Sequence, residues 1–106
     1  MKTTRSLVLA QLARYIGRDK GIRARDLAAQ LGCPERELRE HISALRRDGT
    51  LIGGHPKHGY YVIEDPAEID ETCKFLRSRA RHSLQLEARL RWMSFLELVG
   101  QLRLNT

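Results

Sequence analysis

Cysteine is scarce in this 106-residue chain. Cys33 and Cys73 stand alone with no CxxC pair, so the sequence holds neither a disulfide framework nor a zinc ribbon, and it fits a reducing cytoplasm. Long apolar runs are missing as well. No uncharged stretch reaches half of the roughly 20 residues that a membrane helix needs, and the opening MKTTRSLVLAQLARY breaks its apolar residues with Arg14. Neither a membrane span nor a secretory leader is expected. With three prolines and no Gly/Ser-rich tract, no linker, repeat or low-complexity segment divides the chain. Nucleophile elbow, P-loop and HExxH motifs are absent. So short a chain has little room for a substrate cavity beside its core, and no enzyme activity, cofactor or metal is expected. Acidic residues are also in deficit: 13 Asp and Glu face 19 Lys and Arg, leaving a net charge of +6. Fifteen of those cations are arginine, whose planar fork suits phosphates and guanine edges, which makes a polyanion the first partner to consider.

What is present is a globular composition, 42% hydrophobic and 30% charged, with the positive charge concentrated in residues 1–50, where eleven basic groups meet six acidic ones. Val8, Leu9, Leu12, Tyr15 and Ile16 recur at helical spacing behind the capping candidates Thr3, Thr4 and Ser6, and predict a first helix closed by the segment 17–21. Ile22 reads as a single extended residue. Leu27, Ala28 and Leu31 mark a short second helix ended by Gly32. Pro34 fits the first position of a third helix, whose Leu38, Ile42 and Leu45 form one stripe up to Gly49. Cys33 stands where Ser or Thr would cap and predicts a weak cap. His41, at the edge of that stripe, is expected to be packed and hydrogen-bonded.

From Thr50 the period becomes extended. Leu51 and Ile52, then Tyr60 to Ile63, predict a hairpin with a long Gly-rich tip from Gly53 to Gly59. Asp65, Pro66 and Glu68 supply an N-cap, a first-turn proline and a capping-box carboxylate, and no breaker follows before Gly100. In the long helix this predicts, Ile69, Cys73, Leu76 and Ala80 keep a stripe that can pack on the domain.

Two helices separated by a short Gly-containing turn have helix-turn-helix spacing. The run Leu38, His41, Ile42, Leu45, Arg46, Gly49, with Lys57, Gly59 and Tyr60 after it, is similar to one in winged helix-turn-helix domains. Residues 22–63 thus resemble the DNA-binding domain of the biotin operon repressor family. The resemblance implies an α+β winged helix-turn-helix, three helices plus a two-stranded wing, over residues 1–64; residues 65–106, outside the resemblance, read as a C-terminal oligomerisation helix. No Gly-rich ligase segment is present, so biotin chemistry is not implied.

Opposite the buried stripe of the third helix lie Arg36, Glu40, Ser43 and Arg47, flanked by Arg39. A major groove accepts such a face, since Arg can bridge guanine O6 and N7, Glu can accept from cytosine N4, and Ser is adaptable. Arg23, Arg25, Lys57 and His58 are the expected backbone contacts. His55 and His58 lack the second ligand pair that zinc needs. In the last helix Leu84, Leu90, Trp92, Met93, Phe95, Leu96 and Val99 belong to an apolar surplus too large for one small domain to cover, and predict a homodimer. The expected function is sequence-specific binding of double-stranded DNA by a transcriptional regulator of bacterial or phage type. The alternative is a protein-interaction adaptor or replication accessory factor, which would tolerate acidic residues such as Glu35, Glu37 and Glu40 on that helix.

Overall fold

A computed structural model of the chain describes residues 3–104, without the side chains of residues 94, 95, 98 and 101–104. It shows four α-helices and one two-stranded antiparallel sheet, an α+β arrangement. The framework divides into two compact units, Met1–Cys73 and Lys74–Thr106.

Helix α1 (Arg5–Leu12) is fixed at its start by Thr4, whose hydroxyl accepts the Leu7 N–H at 3.3 Å. It ends earlier than the apolar periodicity predicts. Ile16 has left the helix and bridges Val62: Gly17 N–H donates to the Val62 carbonyl at 2.8 Å, and Val62 N–H donates to the Tyr15 carbonyl at 2.7 Å. The open edge of the hairpin offers these backbone groups partners that another helical turn would have to replace. A 3-10 turn, Arg18–Lys20, follows.

Helices α2 (Ala24–Leu31) and α3 (Glu35–Arg47) are joined through Gly32, which sits at φ 68°. The N–H groups of Gly32 and Cys33 donate back to the Ala29 and Ala28 carbonyls at 3.2 and 3.1 Å, closing α2 in a Schellman pattern that needs a left-handed residue. Pro34 is the residue before α3 rather than its first, and no side chain caps that helix. Cys33 therefore does not cap, because it lies one residue too early and its backbone serves the end of α2. His41 is packed, but its Nε2 lies 3.5 Å from Glu37 Oε1 without hydrogen-bond geometry.

Strands β1 (Ile52–His55) and β2 (Gly59–Val62) pair from Ile52↔Val62 to His55↔Gly59. Ile22 adds a one-residue third rung on β2, exchanging bonds with Tyr60 at 2.8 and 2.7 Å. The tip is short, residues 56–58, because Gly53 and Gly54 belong to β1. Packing explains the difference: a Cβ on Gly53 would run into the ring of Tyr61, which is completely buried.

These elements enclose one core. Leu38, Ile42 and Leu45 of α3 meet Val8 and Leu12 of α1 and Leu27 and Ala28 of α2, with Ile22 and Ile52 in the same cluster. Helix α4 (Pro66–Leu104) continues through Gly100, since a single interior glycine costs a helix only about 1 kcal/mol. Its first turns bury polar groups instead of the expected apolar stripe. Glu68 and Thr72 are inside, whereas Ile69, Cys73, Leu76 and Ala80 are exposed. The hairpin and the 3-10 turn leave backbone N–H groups facing this helix, and only oxygen acceptors satisfy them.

Candidate functional site

The outward face of α3 carries a concentrated set of charges. Amphipathic spacing puts Leu38, Ile42 and Leu45 in the core, and the same rotation delivers Arg36, Arg39, Glu40, Ser43 and Arg47 to solvent. Together with Arg46 these residues line an open depression of about 640 Å³. Arg36 Nε approaches Glu40 Oε1 at 3.7 Å, with both side chains largely exposed, an i,i+4 pair worth about 0.3–0.5 kcal/mol. Among the described residues no carboxylate pairs with Arg39 or Arg47.

Arg46 was singled out in the sequence only through the family resemblance, yet it joins α3 to the hairpin. Its Nε donates to the Ile52 carbonyl at 3.0 Å, and its guanidinium lies 6.0 Å from the Tyr60 ring centroid. Burial pushes its pKa down, partly opposed by Tyr60. The signal for this role was its place at the edge of the buried stripe, beside Leu45.

Arg23 precedes α2 with extended backbone and Arg25 lies in its first turn, both exposed. Lys57 is at the hairpin tip, where its N–H donates to His55 Nδ1 at 3.1 Å. His58 is turned toward α4, its Nε2 3.8 Å from Glu71 Oε1 and its ring 5.6 Å from that of His55. Thus the structure gathers Arg36, Arg39, Glu40, Ser43 and Arg47 on one face, while Arg23, Arg25, Lys57 and His58 come from other elements.

Behind the hairpin lies a second polar group, of which the sequence shows only a part. The Asp65 to Glu68 spacing suggested a capping box, and the Glu68 N–H does donate to Asp65 Oδ1 at 3.1 Å. The Glu68 carboxylate, however, accepts from two more distant backbone groups, Glu64 N–H and Arg18 N–H, each at 2.8 Å. Burial opposes its ionisation, but these N–H groups outweigh burial and hold its pKa below the usual carboxylate range. Glu71, one turn on, accepts from Arg18 Nη1 at 2.8 Å, and this bond lowers its pKa against a smaller opposing effect of burial. Glu64, Asp65 and Glu68 lie close enough to share an ion, but Glu68 already spends both oxygens on the backbone.

In the second unit Leu84, Leu86, Leu90, Trp92, Met93 and Leu96 are all exposed, from 44% to 67%. Leu86, Leu90 and Met93 recur at i, i+4 and i+7 and form one stripe, while Leu84 and Trp92 fall on another side of the helix. Val99 is half-buried, and the side chain of Phe95 lies outside the described residues. Among the described residues no helix is long and apolar enough to cross a membrane.

No family model matches the chain, and no solved structure does. Similarity is found to DDRGK domain-containing protein 1 of Mus musculus, 30% identical over 76 residues that make up 72% of this chain and 24% of that protein. The same protein of Danio rerio is 26% identical over 77 residues, 73% of this chain and 26% of the relative. That of Monosiga brevicollis is 30% identical over 74 residues, 70% and 25% of the two chains. The chain thus spans about a quarter of the length of the curated relatives it matches. A match that long cannot avoid the middle of the sequence, so it includes α3 and the hairpin. This finding corrects the expectation of a bacterial or phage DNA-binding transcriptional regulator: the similar proteins are DDRGK domain-containing proteins of eukaryotes. The physical counterpart is that α3 holds three glutamates against four arginines, a far weaker positive face than the chain's net charge suggests.

Proposed function

We propose, with the similarity to DDRGK domain-containing protein 1 as premise, that the chain is a non-catalytic protein-interaction adaptor. In this reading the first unit is a winged-helix module of the kind residues 22–63 resemble, and the second unit is a helix through which two copies associate. The observation that carries it is the exposure of six large apolar side chains between Leu84 and Leu96. Water contact over such an area is costly at about 25 cal/mol per Å², and pairing the same helix across a two-fold axis is the commonest way to remove it. The α+β arrangement and the Ile22 rung on β2 support the winged-helix reading.

Light scattering on the full chain at high micromolar concentration tests the proposal. A dimer mass is expected, falling to a monomer mass in the double variant Leu86→Glu, Leu90→Glu while the circular dichroism of the chain remains helical. A full chain that is monomeric at that concentration overturns self-association.

A further inference from the structure

Arg46 presents an unsolved electrostatic problem. Its guanidinium is half-buried between α3 and the hairpin, where its neighbours are the Ile52 carbonyl and the Tyr60 ring, neither of them an anion. Among the described residues no carboxylate pairs with it. A partly desolvated cation without an anionic partner is unfavourable, and the usual remedy is a charge-assisted hydrogen bond from outside. The cation is also held in place, by Nε on the Ile52 carbonyl and by the Tyr60 ring, so little side-chain entropy remains to be lost on binding.

Around it the depression adds Arg39 and Arg47, both exposed and without an ion pair among the described residues, and the hydroxyl of Ser43. Arg39, Ser43 and Arg46 or Arg47 recur at i, i+4 and i+7 or i+8, the spacing of one helix face. The remaining wall is Glu40, which already pairs with Arg36. We propose that this face of α3 docks an acidic polypeptide segment of a protein partner, whose carboxylates meet Arg39, Arg46 and Arg47. The inference rests on the adaptor reading and names the partner chemistry it requires. Charge complementarity favours a peptide over a nucleic acid. A duplex brings a charge about every 1.7 Å along its axis and accommodates Glu40 only where a cytosine N4 lies opposite it, whereas a peptide can place its carboxylates opposite the arginines and a neutral side chain opposite Glu40.

The test uses the full chain near physiological salt and three fluorescent probes. These are a helical peptide with glutamates at i, i+3, i+4 and i+7 in an alanine background, its glutamine counterpart, and a random-sequence DNA duplex. The glutamate peptide is expected to bind and the glutamine peptide not to. Reversal of both flanking charges, Arg39→Glu with Arg47→Glu, should weaken binding by roughly a hundredfold, about tenfold per charge. The same charge change placed on the second unit, Arg77→Glu with Arg81→Glu, should leave the affinity within about twofold. Overturning results are equal loss in both double variants, which marks attraction to net charge alone, or tighter binding of the duplex than of the glutamate peptide. Light scattering on the same samples separates the two proposals. A dimer that ignores the peptide removes the acidic partner and keeps self-association, while a monomer that binds it does the reverse.

Discussion

Removing the Glu68 carboxylate should reveal how much of the first unit depends on one polar side chain. Glu68 is 4% exposed, and its two oxygens accept the N–H groups of Glu64 and Arg18, each at 2.8 Å. In Glu68→Ala both donors lose their partner. A buried donor left unsatisfied costs about 1–3 kcal/mol, and charge-assisted bonds lie at the stronger end. Both sites are only partly buried, so water recovers some of the loss, and the expected cost is about 2–4 kcal/mol. Against a domain stability of roughly 5–15 kcal/mol this is a large fraction, corresponding to a fall in Tm of roughly 10–25 °C. Glu68→Gln keeps one carbonyl acceptor and turns an amide N–H toward the other donor, so it should cost about half as much. The assay is urea unfolding followed by circular dichroism, read as a change in midpoint with the slope unchanged. The sign of its pH dependence follows from the depressed carboxyl pKa: the stabilisation is complete above the unfolded-state value of about 4.3 and is lost as pH falls through the folded-state value. The gap between wild type and Glu68→Gln should therefore close in acid. If Glu68→Ala unfolds within about 0.5 kcal/mol of wild type, the margin of an ordinary surface change, the carboxylate does not hold the 3-10 turn to α4.

Two glycines should fail for different reasons. Gly53→Ala places a methyl group into the Tyr61 ring and should cost about 1–3 kcal/mol or more by overpacking. Gly32→Ala has open space around it but keeps φ 68°, so only the left-handed penalty of about 1–2 kcal/mol applies; a larger loss at Gly32 than at Gly53 in thermal unfolding would contradict this distinction. Leu38→Ala, at a completely buried position, should cost about 2–5 kcal/mol in urea unfolding, and a smaller loss would mean the core collapses around the gap. Glu71→Gln should flatten the acid limb of the stability profile, because the Arg18 bond holds the native carboxyl below its ordinary pKa; an unchanged acid limb would show that the Arg18 bond does not persist in solution.

Local chemistry was legible in the residues themselves. The α2 to α3 turn follows from Gly32, the α3 register from Leu38, Ile42 and Leu45, and the start of α4 from Asp65 and Pro66, because each depends on neighbours within one or two turns. The gathering of Arg36, Arg39, Glu40, Ser43 and Arg47 on one face was equally readable, since a helix of known register leaves no freedom over which side chains share a side. The exposed surplus of the last helix could be seen in the same way from Leu84, Leu90 and Trp92. What tertiary structure decided were the positions where a distant segment offers a better partner than the local one. Ile16 leaves the first helix because Val62 offers its backbone groups, Gly53 joins a strand because the Tyr61 ring needs the room, and Glu68 turns from its local cap to the Arg18 backbone. Arg46 belongs to the same class: its charge is visible in the sequence, but only the fold buries it against Ile52 and Tyr60, with no carboxylate paired to it among the described residues. Helical periodicity records which side of an element is apolar, whereas the competition between local and distant hydrogen-bond partners is settled only when the segments meet.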